Sequence, residues 1–117
     1  MEKQEMIEEL QTYVNMYSKK MEEFAQTFLK DPSHALGWSN DTFRDAAALT
    51  IHKEVVGWLS KEDATLDQII DEMENRVIRG ATFPSFSTSP ASNLMEIYKT
   101  SARAEMLDKL ESFKRRA

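Results

Sequence analysis

The sequence has no cysteine, and only three glycines and three prolines in 117 residues. Without thiols there is no disulfide framework, no thiolate metal site and no cysteine nucleophile, so stability has to come from packing. So few Gly and Pro leave little to interrupt long helices. Histidine is scarce as well: His34 and His52 are too few to make a zinc site by themselves. No apolar run approaches the ~20 residues needed to span a bilayer. Met1 to Glu9 is acidic and has neither the basic nor the apolar region of a secretory signal, so the expected location is the cytoplasm of the producing or a host cell.

An excess of positive charge is also missing. Twenty acidic against fifteen basic residues give a net charge of −5, which disfavours nucleic acid and anionic lipid as partners. The terminal cluster Lys114, Arg115 and Arg116 is too small to reverse that balance. An acidic imitation of nucleic acid is disfavoured too, because Lys3, Lys19, Lys20 and Lys30 interleave with Glu2, Glu5, Glu22 and Glu23.

What the chain does contain is helical periodicity. From about residue 2 to residue 30, Ile7, Leu10, Val14, Tyr17, Met21, Phe24 and Phe28 recur at spacings of three and four. This heptad stripe predicts a long helix lying along a partner helix, ended by Asp31 and Pro32. After a connector over residues 31–38, Ser39 reads as an N-cap, with Trp38 and Phe43 as a hydrophobic staple. A second helix over about 40–60 is apolar on several sides, which predicts a central, buried position. Thr65 and Gln68 form a capping box that opens a third helix over about 66–79, with Gly80 as a left-handed C-terminal cap. Ser89 as cap and Pro90 in the first position open a fourth helix to about residue 114. The expected fold is all-α: a single domain over residues 1–117, a compact four-helix bundle-like arrangement with a long N-terminal helix. The buried character of the second helix strains a monomer of this size, so oligomerisation through the first two helices is expected, a homodimer first.

The most unusual stretch joins the third and fourth helices over residues 81–92 and is longer than most helix connections. Its Phe83 and Phe86 either pack back onto the bundle or, with Tyr17 and Trp58 on the helices, supply the aromatic contacts expected for a protein partner. Its hydroxyls Thr82, Ser85, Ser87 and Thr88, together with Arg76 and Arg79 just before it, make the alternative: a pocket for a small anion or nucleotide.

No catalytic centre is expected. His52 has mainly apolar neighbours at helical spacing and reads as a core or interface residue; Glu54, two residues away, points elsewhere. The carboxylate pairs Glu5/Glu8 and Glu105/Asp108 lie at opposite ends of the sequence, so neither a metal nor another cofactor is expected. The resulting expectation is a non-enzymatic protein-binding module, a small acidic accessory, inhibitor or assembly factor, acting through helix faces and the 81–92 loop.

Overall fold

The long N-terminal stripe forms α1, Lys3–Lys30, in a computed structural model that describes residues 1–82 and 89–116. Asp31 ends α1 and at once begins another helix. Its carboxylate accepts the His34 N–H at 3.2 Å, and Pro32 fills the first position, where a missing N–H costs nothing. The expected structureless connector is therefore largely α2, Pro32–Leu36.

Helix α3, Ser39–Leu59, follows almost without a break. Ser39 is its first residue and not its cap. Trp38 occupies the cap position without a side-chain cap bond, because the α2 turn already supplies the entry: Trp38 N–H donates to Ala35 O at 2.9 Å and Thr42 N–H to Trp38 O at 2.9 Å. The Trp38 ring lies edge-on to His34, 4.9 Å between centroids.

Helix α4, Leu66–Thr82, opens on the expected capping box. Thr65 N–H donates to Gln68 Oε1 at 3.1 Å, and Gln68 N–H to Thr65 Oγ1 at 3.2 Å. Gly80 does not cap it. The helix continues through Gly80 to Thr82, and no glycine has a positive φ. The lack of a side chain there serves packing: an ideal Cβ on Gly80 would lie 2.8 Å from Thr100 Oγ1 on the next helix. That helix, α5, spans Pro90–Arg115, and its Ser89 cap accepts the Ser92 N–H at 3.3 Å as expected.

The four long helices form an all-α bundle. Lys3 donates to Lys61 O and Lys20 pairs with Asp45, so α1 and α3 are antiparallel. Lys109 meets His52, Arg116 meets Glu9, Lys114 meets Asp67 and Gly80 meets Thr100. Hence α3 and α5 run one way, α1 and α4 the other. Helices α3 and α5 pack side by side in the middle, with α1 against α3 and α4 against α5. The result is flat, 46 × 32 × 21 Å, with a radius of gyration of 15.8 Å against about 13 Å expected for a compact chain of this length.

The core fills only one end. Met6, Leu10, Ile51, Val55, Leu59, Ile69, Met73, Met106, Leu110 and Phe113 are buried together there. Towards the other end burial stops at Val14 on α1, Ala47 on α3, Met73 on α4 and Ala102 on α5; beyond these, among the described residues, only Ala35 of α2 is buried. No helix among the described residues is long and apolar enough to cross a membrane.

Candidate functional site

At the open end, α1, α2 and the start of α3 form a corner. The heptad stripe that buries Leu10 and Val14 continues to Phe24 and Phe28, but α3 covers only part of it here. Phe28 is 43% exposed, Leu29 83%, Leu36 59% and Trp38 40%, four large apolar side chains within eleven positions. Phe24 stacks on Phe28 with 6.2 Å between centroids, which turns the pair into one aromatic surface.

Between α1 and α3 this corner encloses a groove of about 390 Å³, lined among others by Lys20, Glu23, Phe24, Trp38, Asp41 and Asp45. Two of its cations are already matched to carboxylates: Lys20 lies 4.0 Å from Asp45, and Arg44 lies 3.8 Å from Asp41. Glu23 has no ion pair among the described residues.

A second polar group sits deeper, where α1, α3 and α5 meet. His52 is buried, and its Nδ1 donates to Ala48 O at 2.7 Å, which leaves Nε2 to accept from the Lys109 ammonium at 2.8 Å. Tyr13 and Tyr17 flank the imidazole at 5.5 and 5.4 Å, and Lys109 rests on the Tyr13 ring 3.4 Å from its centroid. Burial pushes His52 down to about 4; the Ala48 carbonyl opposes this and the Lys109 charge adds to it. Burial also lowers Lys109, against the pull of Glu105 and Glu9. Tyr17 is raised, first by burial and then by Asp45 and Glu105. The arrangement ties three helices together around a neutral imidazole that has partners on both ring nitrogens. A group so engaged is poorly placed to take a proton from a substrate.

The residues singled out from the sequence do not form one site. Tyr17 is half-buried against His52, with Lys20 5.8 Å from its ring centroid. Trp58 carries Arg76 on its face, 4.7 Å from the centroid. Arg76 also donates to Glu72 at 2.9 Å and to Glu54, so an anion there would have to displace two carboxylates. Arg79 is 67% exposed and 3.9 Å from Glu72. Thr82 is the last residue of α4, while Phe83, Ser85, Phe86, Ser87 and Thr88 lie outside the described residues.

Two features were not anticipated. The pairing of His52 with Lys109 spans 57 positions and leaves no local signal. The corner did leave one: Leu29 falls beside the stripe instead of on it, and Leu36 and Trp38 interrupt a polar connector. Among the described residues no three His, Asp or Glu side chains are grouped to hold a metal ion, although the fold brings the start of α1 against the end of α5. No family model matches the chain, and neither a curated protein nor a solved structure is similar to it.

Proposed function

We propose that the protein is a binding protein that takes up another polypeptide on the corner formed by α1, α2 and α3. One observation carries this reading. Phe28, Leu29, Leu36 and Trp38, four of the seven exposed large apolar side chains among the described residues, fall on the end of α1, on α2 and at the entry to α3. A clustered apolar patch rimmed by charge marks a contact surface more often than scattered apolar residues do. The groove beside it gives the contact depth. The function is then recognition without chemistry, as an accessory, inhibitory or assembly role requires.

The test is a double variant, Leu29→Asp with Leu36→Asp. Both residues are exposed, so circular dichroism and melting should match the wild type, while capture of the native partner should be lost. A folded double variant that keeps its partner would remove the corner from consideration. Light scattering separates the remaining occupancy: a dimer of the wild type that the double variant dissolves would give the surface to a second copy of this chain.

A further inference from the structure

Cations in this molecule repeatedly settle where an aromatic face and a carboxylate lie together. Arg76 stacks over Trp58 at 4.7 Å and bonds Glu54 and Glu72. Arg116 lies over Phe113 at 5.2 Å and 3.1 Å from Glu9. Lys20 combines the Tyr17 ring at 5.8 Å with Asp45, and Arg44 combines the Tyr98 ring at 5.8 Å with Asp41. In these four the ring quadrupole attracts the cation and a carboxylate lies beside it, whereas Lys109, over Tyr13 at 3.4 Å, is bonded to His52 instead.

A further pair of rings lies in the corner groove with no cation over either among the described residues. They belong to Phe24 and Trp38, and their ring contacts are with Phe28 and His34. Glu23 is the carboxylate of the groove. Lys20 and Arg44 line the same groove, with Asp45 at 4.0 Å and Asp41 at 3.8 Å respectively, and Glu23 has no ion pair among the described residues. At about 390 Å³ the groove falls in the range of ligand pockets, so there is room for an incoming side chain.

We infer that the groove between α1 and α3 takes an arginine side chain of the partner polypeptide, stacked on Phe24 and Trp38 and paired with Glu23, while apolar residues beside that arginine cover Phe28, Leu29 and Leu36. This rests on the corner being the docking surface. Arginine fits better than lysine, because a planar guanidinium stacks on a ring and bonds a carboxylate in the same pose.

The experiment uses the full chain, labelled with ¹⁵N and titrated with N-acetyl-arginine amide at millimolar concentrations. The Trp38 indole N–H signal should shift saturably. The Trp58 signal, whose ring already carries Arg76, should not move. N-acetyl-citrulline amide, uncharged but of nearly the same shape, should leave both signals unchanged. Glu23→Gln, an exposed and conservative change, should raise the midpoint roughly three- to fivefold. An equal response to citrulline, an unchanged midpoint in E23Q, or equal shifts of both tryptophans would overturn the inference. If one of these occurs while the Leu29/Leu36 double variant still loses its partner, the arginine seat is wrong and the docking surface stands. If arginine binds as stated and the double variant keeps its partner, the seat stands and the docking reading falls.

Discussion

The two ends of this bundle are built from the same helices and similar apolar stripes, yet only one is closed. At the closed end, Leu10 of α1, Ile51 of α3, Met73 of α4 and Leu110 of α5 each reach zero exposure, because four helices converge there. At the open end the stripe of α1 continues through Phe24 and Phe28 but meets only the first turns of α3 and the short α2. An amphipathic pattern states that a face is apolar; it does not state that the chain has enough helix to cover it. The closed end therefore carries stability, and the open end has apolar surface left for contact.

Truncation at the closed end is the harshest test of that division. Leu110→Ala or Ile51→Ala removes a fully buried side chain from a close-packed site and should cost about 2–5 kcal/mol in chemical denaturation. Leu29→Ala, at a side chain 83% exposed, should stay within about 0.5 kcal/mol. Comparable losses at both positions would mean that the open end is part of the core.

The next largest effect is pH-dependent and belongs to the junction between the two ends. His52 is held near 4 in the folded protein, below its ordinary 6.5, so the unfolded chain binds its proton more readily. Stability is then complete above about pH 6.5 and falls as the pH drops towards 4, by on the order of 3 kcal/mol for this one group. Below that the His52 contribution is constant. The groups facing the imidazole are Lys109 from α5 and Tyr13 and Tyr17 from α1. None of these exchanges a proton within that window when unperturbed. Denaturation midpoints measured from pH 7 to 4 should show the loss, and His52→Gln should flatten the curve. A slope unchanged by the substitution would assign the acid sensitivity to carboxylates elsewhere.

Much of the fold was legible because its signals are local. The Thr65/Gln68 capping box, the Ser89 cap with Pro90, and the stop at Asp31 each act within one helical turn, where sequence and geometry correspond directly. Ser39 and Gly80 were misread for a shared reason: a neighbouring element took over the role that the local pattern suggested. Helix α2 supplies the entry to α3, so no serine cap is needed; α5 crosses at Gly80, so the glycine is needed for closeness and not for a left-handed turn. The site was less legible still. Arg76 near the end of α4 resembles a free anion ligand until Glu54 and Trp58, 22 and 18 positions earlier, are brought beneath it. Leu29, Leu36 and Trp38 carry no periodicity, and only the fold shows that all three stay exposed along the run from α1 through α2 to α3.

The smallest expected effects come from two glycines, both inside helices and one at each end, which makes them a matched pair. In a helix interior, glycine costs about 1 kcal/mol relative to alanine, so Gly→Ala should stabilise wherever the new methyl group has room. Gly57, towards the closed end of α3, faces open space: an ideal Cβ there meets nothing within 4 Å. Gly57→Ala should therefore raise stability by about 0.5–1 kcal/mol. Gly80 is different. Its Cβ would meet Thr100 Oγ1 at 2.8 Å, and that hydroxyl is already bonded to Glu96 O at 3.0 Å on a stiff β-branched side chain. Thr100 must give up that bond or α5 must move away from α4, so the propensity gain is cancelled and Gly80→Ala should be neutral to destabilising by about 1 kcal/mol. Adding Thr100→Ala to Gly80→Ala removes the obstacle and should restore the gain, a coupling that a double-mutant cycle reads directly. Additive behaviour would show that α4 and α5 are not in contact at Gly80, and that the open end extends further down the bundle than the packing indicates.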